Sequence, residues 1–137
     1  MTIMQKITPI SGSCLCTAVQ FELTSQPIRV LKCHCTSCRK ATGGLHTVWA
    51  VVEHVHFHWL SMRPSYFSSS PQVQRTFCPK CGTSLTYQHA DDGTIDVTVA
   101  SLHHPEYFPP QVEIWISDQL GWDKNHHDFP QHLHDIE

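Results

Sequence analysis

Charge is scarce in this chain. Asp, Glu, Lys and Arg make up 15% of its 137 residues, and the formal net charge is only -3. That balance gives no electrostatic case for a nucleic-acid partner. Hydrophobic residues reach 40%, which excludes a disordered chain. Long apolar runs are missing too, so no helix is expected to cross a membrane. The opening MTIMQKITPI lacks the charged start, apolar stretch and small-residue cleavage site of a signal peptide. The chain is therefore expected in the cytoplasm, where thiols stay reduced. Repeats, low-complexity tracts and linkers are also missing. The length suits one domain, residues 1–137, with one core. Nothing in the composition fixes an oligomeric state.

Helical periodicity is the next shortage. The best candidate is one or two turns in TSCRKATGG, stopped by Gly43 and Gly44. Alternation dominates instead. CTAVQFEL places Val19, Phe21 and Leu23 on one face, and IRVLKCHC places Leu31, Cys33 and Cys35 together. HTVWAVV, HVHFHWL, QVQRTF and QVEIWIS read as further strands. TSLTYQH and TIDVTVASL flank ADDG, a hairpin signal. HHPEYFPP is a proline-rich loop with room for a short turn. These patterns predict an all-β domain of many short strands.

Twelve histidines stand in the chain. His54, His56 and His58 alternate with Val55, Phe57 and Trp59, and are expected to form the solvated face of one strand rather than a metal site. HHDFPQHLH near the C-terminus is expected to be surface.

What the chain does have is seven cysteines, in three groups. In a reducing compartment they point to metal or redox chemistry before disulfides. In FCPKCGTSL, Cys78 and Cys81 bracket a tight turn, and Gly82 supplies the positive φ that lets the chain leave it. This is a zinc-knuckle pattern. Thioredoxin-type chemistry would need a helix after the motif, whereas both flanks here read as strands. The knuckle needs two more ligands. Cys14 and Cys16 of GSCLC would complete a set of four; Cys35 and Cys38 would make an unusually long ribbon. The first pairing leaves Cys33, Cys35 and Cys38 of CHCTSC as a set of three. Sulfurs around tetrahedral zinc sit about 3.8 Å apart, so each C-x-C must bend, and Gly12 is expected to help the first do so.

A closed four-thiolate zinc is structural, and three ligands with an open position are how catalytic zinc is built. The trio is thus expected to take water or an exogenous thiolate as its fourth ligand. The alternatives are closure by a nearby histidine, or free thiols. If seven thiolates held two dications, the formal charge would move from -3 to -6. Five of the nine basic residues, Lys32, Arg39, Lys40, Arg75 and Lys80, lie within three positions of a cysteine. They offset thiolate charge, and one or two of them can bind an anionic substrate; Arg39 and Lys40, beside Cys38, are the candidates.

SGSCLCTAVQFEL, CHCTSCRKATGG, RTFCPKCGTSLTY, IDVTVASL and PPQVEIWISDQLGW together resemble the family of glutathione-dependent formaldehyde-activating enzyme and centromere protein V. The resemblance runs from about Gly12 to Trp122. It implies a zinc-containing β-tent of two antiparallel sheets. It implies a structural zinc on Cys14, Cys16, Cys78 and Cys81, and a weaker, catalytic-type zinc on Cys33, Cys35 and Cys38. It also implies carbon–sulfur lyase activity on thiol adducts such as S-hydroxymethylglutathione, with a small thiol such as glutathione as partner. The alternative is a non-catalytic zinc module for protein–protein interaction. The absence of a basic tail or second domain, and the acidic balance, weigh against that module.

Overall fold

The computed structural model describes residues 8–124 and 128–136. His126 and His127, part of the C-terminal histidine segment, lie outside the described residues. The described chain is mostly strand, in two sheets. A three-stranded sheet has the order β1-β2-β5, with β1 at Ile10–Ser13, β2 at Gln20–Leu23 and β5 at Phe57–Trp59. The second sheet has seven strands. They are β3 (Arg29–Cys33), β4 (Thr47–Glu53), β6 (Ser65–Ser70), β7 (Val73–Phe77), β8 (Ser84–His89), β9 (Thr94–Thr98) and β10 (Val112–Ile114). Their spatial order is β10-β3-β4-β9-β8-β7-β6. Two short helices complete the fold, α1 at Thr36–Thr42 and α2 at Gly121–Lys124. The proline-rich loop does carry a short turn, a 3-10 turn at Pro105–Tyr107.

All pairings are antiparallel but one: β10 runs parallel to β3. The reason is directional. β3 and β9 are both antiparallel to β4, so they run the same way. The chain after β9 crosses to the far edge of the sheet and enters β10 in that shared direction, as a crossover does.

Apolar alternation builds the core between the sheets. Phe21, Leu23 and Phe57 from the small sheet meet Val30, Ala50, Val52, Leu85, Ile95 and Val97 from the large one. Phe21 stacks on Phe57 with centroids 5.4 Å apart, and Trp59 meets both rings edge-on. Gly12 belongs to this packing. A Cβ there would lie 2.6 Å from the Ser101 carbonyl oxygen and collide with the Phe21 ring. Gly12 thus allows a close approach, and the chain leaves the Cys14–Cys16 turn at Thr17, whose φ is 65°.

The central strand β4 is buried on both faces. Trp49 and Val51 point away from the main core and pack with Leu31, Cys33 and Cys38 in a second, smaller cluster. That cluster floors the site described below.

The run of His54, His56 and His58 does not form one strand. His54–His56 is a 3-10 turn, and the strand begins only at Phe57. The chain must pass here from the large sheet to the small one, so the alternation is broken by a tight turn. Val55, expected inside, is 71% exposed, while Phe57 is buried. His54 and His58 are exposed, and His56 Nδ1 lies 3.2 Å from Thr24 Oγ1.

Candidate metal centres and the cavity beside them

All seven cysteines are free thiols, and they gather into a four and a three. In the four, one sulfur each from Cys14, Cys16, Cys78 and Cys81 lies within 4.8 Å of every other. Two turns place them. Cys14 and Cys16 follow β1 in a turn where Thr17 N–H donates to the Cys14 carbonyl at 3.1 Å. Cys78 and Cys81 follow β7 in a turn closed by Gly82 N–H to the Cys78 carbonyl at 2.9 Å, with Gly82 at φ 82°. Leu15 N–H donates to Thr83 Oγ1 at 3.0 Å, pinning one turn to the other.

The chemistry of the four suits a soft dication. Cys14 and Cys16 sulfurs are 3.6 Å apart, and Cys16 and Cys78 sulfurs 3.8 Å, close to the spacing of about 3.8 Å that tetrahedral zinc requires. Backbone N–H groups of Val19 and Lys80 donate to Cys14 Sγ and Cys78 Sγ, each at 3.3 Å. At Cys78 burial raises the thiol, but the backbone N–H groups of Cys81 and Lys80 outweigh it and hold the thiol below its ordinary range. The Thr83 side chain and backbone hold the Cys81 thiol down to about 5.

The three, Cys33, Cys35 and Cys38, are built by the end of β3 and the start of α1. Cys35 caps the helix, its sulfur accepting the Cys38 N–H at 3.2 Å. Gly43, at φ 79°, ends the helix by donating to the Arg39 carbonyl at 2.7 Å. Cys33 and Cys38 sulfurs are 3.6 Å apart, again a separation that fits zinc. The hydrogen bond from Cys33 lowers the Cys38 thiol to about 5, while Cys33 itself is pushed up by the same bond and by burial. Among the described residues no fourth metal-binding side chain joins this set.

A cavity of about 410 Å³ opens over the trio. Its walls come from a row of side chains on one face of the large sheet. Strand register places Arg75 opposite Tyr87, Tyr87 opposite Asp96, and Asp96 opposite Val51. The Arg75 guanidinium lies over the Tyr87 ring, 4.9 Å from its centroid, and Nη1 donates to Cys38 Sγ at 3.8 Å. Trp49, Trp115 and Asp118 also line the cavity. Burial pushes the Asp96 carboxyl up to about 7, with the charges of Asp92 and Cys38 adding to the effect. A larger cleft of about 1080 Å³ takes in Cys81 but none of the trio. The smaller cavity is the chemically equipped one, because it combines three thiols, a guanidinium and a carboxyl.

Arg39 and Lys40 are not part of it. The Arg39 Nη1 donates to the Asp118 carbonyl at 2.7 Å and to the His34 carbonyl at 3.3 Å, bracing the loop that carries the trio. Lys40 is exposed on α1 and does not line the cavity. Arg75, 37 positions from Cys38 in sequence, is the cation that reaches the site. Trp49, Tyr87 and Asp96 carry no motif of their own, and only strand register brings them there.

A family model described as glutathione-dependent formaldehyde-activating enzyme matches residues 9–118. An uncharacterized lyase of Schizosaccharomyces pombe is 26% identical over 88 residues. That match takes in 58% of this chain and 58% of the relative's length. A crystal structure of a Rhodobacter sphaeroides protein superposes with a TM-score of 0.62 at 19% identity. It covers 76% of this chain and 99% of its own, which establishes the likeness of fold.

Proposed function

The chain belongs to the glutathione-dependent formaldehyde-activating enzyme family, and on that premise we propose that it is a carbon–sulfur lyase acting on the adduct of a small thiol with formaldehyde. Glutathione is the thiol that the family description favours. One observation carries the reading: the three-cysteine set opens into a cavity that also holds Arg75 and Asp96.

Cys14, Cys16, Cys78 and Cys81 would hold a structural zinc, and Cys33, Cys35 and Cys38 a second one. A zinc on the trio would supply a Lewis-acidic position that keeps a substrate thiol ionised at neutral pH.

The chain's own groups supply the rest. Arg75 is braced by Tyr87 and by Ser69 Oγ, 3.0 Å from its Nε, so its charge is held at the cavity wall to meet an anionic group of the thiol. Trp49 and Trp115 add apolar surface to the cavity wall. In the direction of adduct formation, the substrate sulfur attacks the aldehyde carbon and a C–S bond forms. The carbonyl π pair moves to oxygen, which takes up one proton. The proton lost by the thiol balances it, so thiol and aldehyde give the hydroxymethyl thioether with nothing left over. Asp96 shares the cavity, and a carboxyl near 7 can deliver and recover that proton at neutral pH. Cleavage runs the same steps backwards.

Cobalt substitution tests the reading. Added glutathione should alter the visible spectrum of the cobalt protein, and Cys35→Ser should abolish that change. NMR should also show S-hydroxymethylglutathione equilibrating faster with the protein than without it. A complete four-ligand spectrum without thiol, indifferent to glutathione, would leave the non-catalytic zinc module in its place.

A further inference from the structure

Apart from the cysteines, three other side chains with metal-binding chemistry meet. His34, His46 and Asp123 each offer one donor atom, and these atoms lie within 4.8 Å of one another. They come from three parts of the chain: the link between β3 and α1, the turn before β4, and α2. His34 stands between Cys33 and Cys35, yet its ring turns from them towards β10, where Nε2 lies 2.8 Å from Glu113 Oε1.

His34 is fully buried, at 0% exposure. Among the described residues its Nδ1 is buried without a hydrogen-bond partner, and so is His46 Nδ1. The two rings sit 5.6 Å apart. A buried polar atom left unpaired carries its full desolvation penalty. Two such nitrogens in one cluster, beside a carboxylate, have a common remedy in a cation that accepts both lone pairs.

The geometry points to a divalent-cation site held by His34, His46 and Asp123, with Glu113 orienting His34. When His34 donates its Nε2 proton to the Glu113 carboxylate, Nδ1 is left as a bare lone pair. A carboxylate behind a histidine is the usual partner of a metal-bound imidazole. Burial, and then the charge of Lys32, hold His46 below its ordinary range, which favours the neutral ring that can ligate. The local charge favours a cation. Asp123 and Glu113 bring two carboxylates against one ammonium, Lys32, whose Nζ is 3.9 Å from Glu113. Two imidazoles and a carboxylate suit a borderline ion such as Zn²⁺. His46 also lines the cleft of about 1080 Å³, which gives the ion a route from solvent and leaves room for a water or ligand on it.

The test is zinc stoichiometry and affinity in the full chain. Elemental analysis after equilibration in buffered zinc should show one equivalent more in the parent protein than in His46→Ala. In cobalt-substituted protein the difference between the two spectra should lack thiolate charge-transfer bands, since no sulfur serves this site. Glu113 is exposed, so Glu113→Gln should fold normally while weakening that zinc by about 10–100-fold, the usual effect of removing an orienting partner. Equal zinc content in the parent and His46→Ala overturns the site. So does an affinity that Glu113→Gln leaves unchanged, which would mark His34 and Glu113 as a buried hydrogen-bonded pair and nothing more.

Discussion

The Arg75 guanidinium reaches Cys38 Sγ at 3.8 Å while lying over the Tyr87 ring. A cation fixed beside a thiolate, with its planar face covered, is placed to meet a second anion. Arg75→Gln keeps a polar side chain and removes the charge. A charge-assisted contact contributes about 1.5–3 kcal/mol, so kcat/KM for an anionic thiol adduct should fall roughly 10–100-fold. An uncharged thiol adduct should be affected much less. Steady-state kinetics on the two substrates reads the difference.

Cys78 is 1% exposed, and its sulfur meets a cysteine 62 positions earlier. Metal binding at such a site is folding free energy, about 10–16 kcal/mol in small zinc peptides, which matches or exceeds the usual stability of a whole domain. Cys78→Ser should therefore be largely unfolded or insoluble. A soluble variant with the parent's melting temperature would remove the structural role from this quartet.

The trio should behave differently. Its three sulfurs come from one short segment and open on a cavity. Cys35→Ser should stay folded, lose one zinc equivalent relative to the parent, and lose thiol-dependent activity. Circular dichroism with elemental analysis separates the two cases.

Asp96 gives a pH dependence with a definite sign. Its carboxyl rises from an ordinary 3.8 to about 7 in the fold, because burial disfavours the charge. The folded state therefore favours the protonated acid. That contribution is fully present below about pH 4 and is lost as pH climbs through 7. Asp96→Asn mimics the protonated form at every pH. Its melting temperature should exceed the parent's by several degrees at pH 8, and the gap should narrow at pH 5. A constant gap across that range would contradict the assignment.

Gly12→Ala should destabilise by about 1–3 kcal/mol, because the new methyl overpacks against the Phe21 ring and the Ser101 carbonyl. Denaturant unfolding, with an unchanged slope and a lower midpoint, is the expected record.

The parts of this fold that could be read from sequence are those set by neighbours along the chain. ADDG marks the β8–β9 hairpin because a tight turn is a local decision. Gly43 marks the end of α1 for the same reason. The cysteine groups are legible because ligand spacing is short-range chemistry, and the four and the three form as their spacing suggests. The cavity wall is another matter. Arg75, Tyr87 and Asp96 become neighbours only through the register of three strands, and register depends on pairing between distant segments. Arg39 adjoins Cys38 in sequence, but the contact its guanidinium makes with the Asp118 carbonyl spans 79 positions and has no local signal. The His54–His58 segment misled for a related reason. Its alternation is real, but the chain changes sheets there, and no local pattern announces that.

The two cysteine sets also differ in when they come into being. On a growing chain the trio is complete as soon as Cys38 has emerged, since all its members lie within six positions. The quartet must wait for Cys81, which lies 65 positions after Cys16. Contacts this distant in sequence are slow to form, because the intervening chain has to be closed into a loop first. During that interval the early set is the better-organised thiol cluster in reach of any metal. The open centre would then be charged before the closed one, and the late partner strand would arrive at a chain already carrying an ion.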